Sequence, residues 1–156
     1  MTLKVYNTIT KQKSSFTPIE PGKVKMYVCG VTVYDYCHVG HARCYVAFDV
    51  IQRWLRTHYD VTYVRNFTDV DDKIIKRANE IGEAPLALSA RFIDAYHEDM
   101  ATLGVAKADF EPRVSETIED IAGFVQTLVD NGFAYRVPAE TGVEGAGDDV
   151  YFRVRK

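Results

Sequence analysis

The sequence predicts an α/β domain in which parallel strands alternate with helices. Two consecutive strand-to-helix units carry the prediction. A β-branched run at residues 24–33 leads into an amphipathic stretch at residues 42–58. A second strand, at residues 61–67, leads into a helix that starts near Lys73. The chain has 156 residues, of which 47% are hydrophobic, and this is enough for one buried core.

Composition excludes several classes of protein. The net charge of −3 argues against an autonomous nucleic-acid-binding module, which would carry a basic face. No apolar run is long enough to span a membrane. The three cysteines, Cys29, Cys37 and Cys44, are odd in number and lack CxxC spacing, so we expect a reducing, cytoplasmic location instead of a disulfide scaffold.

The first elements along the chain are an arm and a helix. Residues 2–22 are polar and predict an irregular arm with one short strand. In the helix that follows, Val46, Val50, Trp54 and Leu55 recur at spacings of three and four, which predicts one apolar stripe packed on the sheet. On this pattern Trp54 is a core residue and not a ligand contact.

Helix signals continue after the second strand. Asp71 or Asp72 can cap the helix near Lys73, and Gly82 with Pro85 ends it. Residues 86–103 predict another helix, ended by Gly104. Its residues Phe92, Tyr96 and Met100 share one face, which is more typical of a core than of an aromatic cofactor site.

The pattern changes towards the end of the chain. Residues 110–114 form a short extended piece interrupted by Pro112, and residues 116–130 are helical. Residues 133–137 and 150–154 then alternate apolar and polar side chains at a period of two. Joined by the glycine-rich, acidic loop 138–149, they predict an antiparallel hairpin and not another strand-to-helix unit.

The tetrad His38-Val39-Gly40-His41 lies at the first strand-to-helix turn. The first N–H groups of a helix lack intrahelical partners and carry the positive end of the dipole, so this turn can bind phosphate. Gly40 removes a Cβ where a ligand would come close, and the two imidazoles can both reach that ligand. The alternative is a surface loop with two solvated histidines.

Other candidate residues follow the strands. Cys29 and Thr32 come after the first strand and Thr68 after the second, so all three would line one crevice at the carboxyl edge of the sheet. Each has a structural alternative: Cys29 as a small buried side chain, and the threonines as turn or cap residues. Asp69, Asp71 and Asp72 are caps more often than metal ligands, and a zinc set of Cys37, His38 and His41 lacks a fourth ligand.

Two segments together resemble a known family. The stretch MYVCGVTVYDYCHVGHAR, followed by YVRNFTDVDDKIIKRANE, is similar to the amino-terminal half of the cysteinyl-tRNA synthetases, which are class I aminoacyl-tRNA synthetases. HVGH stands where that class has its HIGH signature. The resemblance runs from Lys4 to about Gly132 and implies a Rossmann-like nucleotide-binding half-domain with parallel strands.

The resemblance also implies an activity and a site. The family activates cysteine with ATP to cysteinyl-adenylate and transfers it to tRNA(Cys). Cys29 matches the first ligand of one catalytic Zn²⁺ per subunit, and the other ligands would lie beyond residue 156. The residues implied for ATP, which binds with Mg²⁺, are His38, Gly40 and His41, with His38 and His41 catalytic; those implied for L-cysteine are Gly30, Thr32 and Thr68.

The same resemblance divides the chain. Residues 1–132 would be the first half of the catalytic domain, and the hairpin of residues 133–156 would begin the family's connective-peptide insertion. The second phosphate-binding loop, KMSKS, would also lie beyond residue 156. We therefore expect the 156 residues alone to be inactive and the intact enzyme to be a cytoplasmic monomer with no membrane partner.

Two other functions stay open at this stage. The ligase that joins cysteine to glucosaminyl-inositol in mycothiol synthesis shares much of this half, although Thr32-Val33-Tyr34-Asp35 and Lys73 look more like the synthetase. A non-catalytic nucleotide-binding paralogue that ends at Lys156 is the other. The reading frame after Lys156 separates the paralogue from the synthetase, and the acceptor used, tRNA or amino sugar, separates the two enzymes.

Overall fold

The computed structural model describes residues 3–138 and 147–155 of the chain. The elements are, in order, β1 (Lys4–Asn7), β2 (Gln12–Ser15), β3 (Lys23–Val28), α1 (Val39–Arg56), β4 (Asp60–Arg65), α2 (Asp72–Ile81), α3 (Pro85–Thr102), α4 (Ile118–Asp130), β5 (Ala134–Val137) and β6 (Asp149–Phe152). Among these elements, no helix is long and apolar enough to cross a membrane. The chain forms two compact units, Met1–Arg113 and Val114–Lys156.

A parallel pair of strands lies at the centre of the first unit. β3 and β4 run side by side in the same direction, in register from Lys23 opposite Asp60. Parallel neighbours need a crossover connection, and α1 is part of it. The pairing continues beyond both strands, because Thr32 and Thr68 form a further parallel bridge. The predicted parallel strands with a helix between them are confirmed.

A third extended segment lies on the other side of β4. Phe110 forms a parallel bridge with Val64, and the N–H of Phe67 donates to the carbonyl of Pro112 at 2.9 Å. Pro112 has no N–H but keeps its carbonyl, so it can accept this bond at the edge of the sheet. The short extended piece predicted at residues 110–114 is confirmed.

The helices α2 and α3 supply much of the core, and both begin and end close to the predicted residues. The carboxylate of Asp71 caps α2 by accepting from the N–H of Lys73 at 2.8 Å, and Gly82 ends it in the left-handed region with φ 70°. α3 begins at Pro85, whose missing N–H costs nothing in the first turn. The apolar face of α3 is buried, as the spacing predicts, with Phe92, Tyr96 and Met100 among its buried residues.

The amino-terminal arm differs from the prediction. Residues 2–22 were expected to contain one short strand, but β1 and β2 pair as an antiparallel hairpin, with Lys4 opposite Ser15 and Asn7 opposite Gln12. All eight strand residues are exposed. A strand that buries no side chain has no alternation of apolar and polar residues, so the usual signal for a second strand is missing.

The prediction of which side of α1 packs on the sheet is also wrong. Val46, Val50 and Trp54 are 38%, 61% and 37% exposed, and of the four predicted residues Leu55 is buried. Val50 and Trp54 line an apolar groove that α1 shares with β1 and β3. Trp54 is therefore a groove residue and not a core residue.

Polar side chains occupy much of the buried face of α1. Asp49 is buried there, and both oxygens of its carboxylate accept hydrogen bonds. It accepts from Gln52 at 3.0 Å, from the backbone N–H of Ala106 at 3.0 Å and from Arg53 at 2.6 Å. Burial alone would raise the pKa of Asp49, but hydrogen bonds from Arg53, Ala106 and Gln52 hold it below its ordinary 3.8.

The second unit consists of α4 and an antiparallel hairpin. β5 and β6 pair with Ala134 opposite Phe152 and Val137 opposite Asp149, which confirms the predicted hairpin. Gly132, with φ 71°, follows α4 where the sequence predicts its end. Most of the acidic loop predicted at residues 138–149 lies outside the described residues.

Substitution of Asp49 should weaken the fold in a way that depends on pH. The pKa of Asp49 is depressed in the folded state, so its contribution is present above the unfolded pKa and is lost as the pH falls through the folded pKa. At pH 7 we expect Asp49→Asn to lower the free energy of unfolding by about 1–3 kcal/mol. The difference from wild type should shrink as the pH falls below 3.8 and through the folded pKa of Asp49.

Urea unfolding followed by the fluorescence of the single tryptophan, Trp54 on α1, measures this effect. Asp130→Asn is the matched control, because the carboxylate of Asp130 is exposed and accepts from Gln126 on the helix surface. An Asp49→Asn effect at pH 7 no larger than that of the control would contradict the assignment.

Candidate functional site

The candidate site lies where β3 and β4 end. The N–H of Thr68 donates to the carbonyl of Val31 at 3.1 Å, and the N–H of Val33 donates to the carbonyl of Thr68 at 3.2 Å. These bonds hold the two segments that follow the strands against each other. Thr32 and Thr68, which the sequence predicts to share a crevice, are direct neighbours here.

The HVGH tetrad forms the first turn of α1, and His38 is its N-cap with extended backbone angles of φ −121° and ψ 172°. Nδ1 of His38 accepts from the N–H of Gly40 at 3.0 Å, and Nδ1 of His41 accepts from the N–H of His38 at 3.1 Å. This is a capping box in which two imidazoles replace the usual hydroxyl and carboxylate. It starts the helix at Val39, three residues before the predicted start.

The same two bonds determine where the imidazole hydrogens lie. An Nδ1 that accepts from an N–H carries no hydrogen, so the hydrogen of each neutral ring is on Nε2. Burial and the neighbouring His38 hold the pKa of His41 below its ordinary 6.5, so His41 is neutral at neutral pH. The ring centroids are 4.1 Å apart. One helical turn therefore presents two adjacent Nε2–H donors.

Gly40 is required by the ring of His38. A Cβ at Gly40 would lie 2.6 Å from Cε1 and 2.9 Å from Nδ1 of His38. From the sequence, we expected the glycine to make room for a ligand. In the structure it makes room for the imidazole ring of His38. The N–H of Gly40 donates to Nδ1 of His38, so this amide is engaged in the helix cap.

A cleft of about 380 Å³ opens beside this turn. It is lined by Gly30, Val31, Thr32, Tyr34, Asp35, Tyr36, His38, His41, Tyr45 and Lys73. Four of the residues selected from the sequence are in this lining, namely Gly30, Thr32, His38 and His41. Cys29, Gly40 and Thr68 are next to lining residues in the chain or in the sheet, but do not themselves line the cleft.

Lys73 is a cleft residue that the sequence reasoning treated only as part of a motif. Its Nζ lies 5.9 Å from the centroid of the Tyr34 ring. It is in the first turn of α2, where the helix dipole disfavours a cation. A lysine placed against the dipole and beside two imidazole donors adds positive charge to the cleft. The sequence does contain a signal for this placement, because Lys73 comes two residues after the helix cap Asp71 and therefore lies in the first turn of α2.

Tyr45 connects the cleft to the core. Its ring is 5.1 Å from Cζ of Arg65, a guanidinium that is almost fully buried and pairs with Glu111 at 2.7 Å. Burial raises the pKa of Tyr45, so its phenol is protonated at neutral pH. The cleft wall at Tyr45 is therefore neutral, and the nearby guanidinium of Arg65 forms an ion pair with Glu111.

The cysteines differ in what they offer a metal. Cys29 is exposed at the end of β3, so its thiol could serve as one zinc ligand. Burial, and then the charge of Asp99, raise the pKa of Cys37, which disfavours the thiolate that a metal needs. Within the described parts of the chain no three His, Cys, Asp or Glu side chains are grouped to hold a metal ion, so the alternative set of Cys37, His38 and His41 is not formed.

Comparison with known proteins identifies similar sequences. A family model described as the catalytic domain of class I (C) tRNA synthetases matches residues 15–156. The chain is 61% identical over 135 residues to a cysteine–tRNA ligase of Janthinobacterium sp. (strain Marseille), covering 86% of this chain and 29% of that protein. It is 57% identical over 155 residues to that of Ralstonia nicotianae, covering 99% of this chain and 32% of that protein. The chain thus spans about a third of the length of these relatives.

Among solved structures, the chain is similar to Mycobacterium tuberculosis methionyl-tRNA synthetase in complex with methionyl-adenylate. The TM-score is 0.68 at 23% identity, over 74% of this chain and 23% of that one. A likeness at this level of identity concerns the fold alone. It supports the Rossmann-like α/β arrangement around the parallel strands β3 and β4.

Proposed function

Because the chain belongs to the family of class I (C) tRNA synthetase catalytic domains, we propose that it forms the amino-terminal part of a cysteine–tRNA ligase. That enzyme would activate L-cysteine with ATP and transfer it to tRNA(Cys). The observation that carries the proposal is the pair of Nε2–H donors of His38 and His41 in one cleft with Gly30 and Thr32. The relatives named above are cysteine–tRNA ligases, which favours this reading over the amino-sugar ligase.

The first step is an in-line displacement at the α-phosphate of ATP. The carboxylate of cysteine forms a bond to that phosphorus, and the bond from phosphorus to the bridging oxygen breaks, so pyrophosphate leaves with the electron pair. A carboxylate is already an anion at neutral pH, and no general base is needed. Catalysis therefore consists of positioning and of stabilising charge on the phosphate oxygens.

The histidines would supply that stabilisation. Each donates from Nε2 to an oxygen of the α- or β-phosphate, while its Nδ1 stays engaged in the helix cap. Because His41 is neutral, it can donate without losing a proton during the reaction. Lys73 lines the same cleft and adds a positive charge, and Mg²⁺ would accompany ATP.

The strand ends would bind the amino acid. Gly30 and Thr32 line the cleft, and Thr68 is the neighbour of Thr32 across the strands. Cys29 is the residue of this chain that would hold Zn²⁺, as one of four ligands. Bound zinc would lower the pKa of the substrate thiol and favour cysteine over serine, because a thiolate is the softer and more acidic ligand.

The proposal includes the organisation of the longer enzyme. Residues 1–132 would be the first half of the catalytic domain, and residues 133–156 would begin the connective-peptide insertion. The intact enzyme would act as a monomer. Since the chain spans 29% and 32% of the two relatives, the complete reaction and its partners are part of the proposal.

Cysteine-dependent exchange of labelled pyrophosphate into ATP tests the proposed activity in the full-length gene product. We expect exchange with cysteine and none with serine. Exchange that depends on a different amino acid, or charging of an amino sugar in place of tRNA, would contradict the proposal.

The two histidines can be tested without disturbing the helix. Serine is a good N-cap and glutamate is the usual third residue of a capping box, so His38→Ser and His41→Glu should keep the start of α1. Both lose the donor at the Nε2 position, because the serine side chain is too short to reach it and a glutamate carboxylate only accepts. We expect each to lower the single-turnover rate of adenylate formation by about 10²–10³. The thermal midpoint should stay within about 2 °C of wild type.

His38→Ala is the comparison for this pair, since it removes cap and donor together and should also destabilise the chain by about 1 kcal/mol. If His38→Ser or His41→Glu retains the wild-type adenylation rate, that histidine has only a structural role.

Cys29→Ala in the full-length gene product should reduce bound zinc well below one equivalent and abolish cysteine-dependent exchange, because a catalytic site has no ligand to spare. Mass spectrometry measures the zinc content of the protein and does not depend on its activity. Cys44→Ala is the matched control, since Cys44 is also an exposed free thiol. Stoichiometric zinc with near-normal exchange in Cys29→Ala would contradict the assignment.

A further inference from the structure

Asn66 joins the two strand ends that form the candidate site. Its Oδ1 accepts from the backbone N–H of Gly30 at 2.8 Å and from the hydroxyl of Tyr27 at 2.8 Å. Its Nδ2 donates to Oγ1 of Thr68 at 3.3 Å. One half-buried side chain thus contacts Gly30 after β3 and Thr68 after β4, both of which are proposed to bind cysteine.

The backbone of Asn66 packs against Gly30 as well. A Cβ at Gly30 would lie 1.4 Å from the carbonyl oxygen of Asn66 and 2.5 Å from its carbonyl carbon, so the site accepts only glycine. Gly30 is therefore held by residue 66 in two ways, through this close backbone contact and through the amide side chain. A small shift of Asn66 would displace Gly30.

The chemistry of the partners determines the orientation of the Asn66 amide. The N–H of Gly30 can only donate, so Oδ1 must face it. Nδ2 must then face Thr68, and since Nδ2 has only hydrogens to give, Oγ1 of Thr68 must accept. The hydrogen of the Thr68 hydroxyl is consequently left to donate away from Asn66.

We propose that Asn66 is a positioning residue for the amino-acid end of the site. It places the backbone of Gly30 and fixes the Thr68 hydroxyl so that its hydrogen is available to an acceptor atom of the bound amino acid. The inference rests on the proposed function, because Gly30 and Thr68 are assigned there to cysteine. Asn66 acts through these two residues and does not itself touch the reacting atoms.

Asn66→Asp separates this role from a purely structural one. The new carboxylate can still accept from Gly30 and Tyr27, so the strand ends stay joined. Its second oxygen, however, replaces the Nδ2 donor and can only accept from the Thr68 hydroxyl. The hydrogen of Thr68 is then turned away from the ligand.

In the full-length gene product we expect Asn66→Asp to raise the KM for cysteine in pyrophosphate exchange by about 10-fold or more. The KM for ATP and kcat should change less than about 3-fold, since the phosphate end is held by the helix cap. The thermal midpoint should stay close to wild type. Asn66→Ala, which also leaves the N–H of Gly30 without its acceptor, should raise the KM for cysteine and lower the thermal midpoint.

A double-mutant cycle shows whether Asn66 works through Thr68. In a Thr68→Ala background, Asn66→Asp should raise the KM for cysteine by less than about 2-fold further, because the hydroxyl it would redirect is gone. Asn7→Ala is the matched control: Asn7 also accepts a backbone N–H, that of Ile9 at 2.9 Å, but at the exposed end of β1. It should leave both KM values unchanged.

The outcomes distinguish a failure of the role of Asn66 from a failure of the proposed function. A wild-type KM for cysteine in Asn66→Asp, or effects of Asn66→Asp and Thr68→Ala that simply add, overturns the role of Asn66 while the proposed function stands. A wild-type enzyme without cysteine-dependent exchange overturns the proposed function and this inference with it.

Discussion

The parallel pairing of β3 with β4 is the constraint on which the rest of the site depends. Parallel strands end at the same edge of a sheet, and the bridge between Thr32 and Thr68 carries the pairing past both ends. The crossover that such strands require begins at this same edge, so the first turn of α1 lies beside the strand ends. A single backbone arrangement thus brings the residues after β3, the residues after β4 and a helix N-terminus to one cleft.

At that edge the same groups serve the fold and the proposed chemistry. The Nδ1 atoms of His38 and His41 complete the helix cap, and this leaves both Nε2–H groups as donors. The cap also determines the need for Gly40, whose missing Cβ makes room for the His38 ring. Because the start of the helix and the donors share the same side chains, a change at either histidine acts on both unless the replacement can still cap.

Features with local signals were predictable from the sequence. Asp71 at the start of α2 and Gly82 at its end follow from capping chemistry within a few residues, and the buried face of α3 follows from the spacing of Phe92, Tyr96 and Met100. The buried polar face of α1 was not predictable in this way. Asp49 can be buried because Ala106, 57 residues later, donates to it.

The candidate site also combines residues that have a local sequence signal with residues that do not. His38, His41 and Thr68 could be selected from a motif and from their positions after strands. Asn66 could not, because its role depends on Gly30, which is 36 residues away and is brought near only by the strand pairing. The hairpin of β1 and β2 was missed for a different reason, since it buries no side chain and so has no alternating pattern.

In the proposed function, the histidine turn and the strand ends form the two ends of one cysteinyl-adenylate site. A crystal structure of the full-length gene product with a non-hydrolysable sulfamoyl analogue of cysteinyl-adenylate tests it most directly. We expect the sulfamoyl oxygens to accept from Nε2 of His38 or His41, with the cysteinyl group beside Gly30 and Thr68. An analogue bound with both imidazoles beyond hydrogen-bond distance, or with its cysteinyl group away from the ends of β3 and β4, would contradict it.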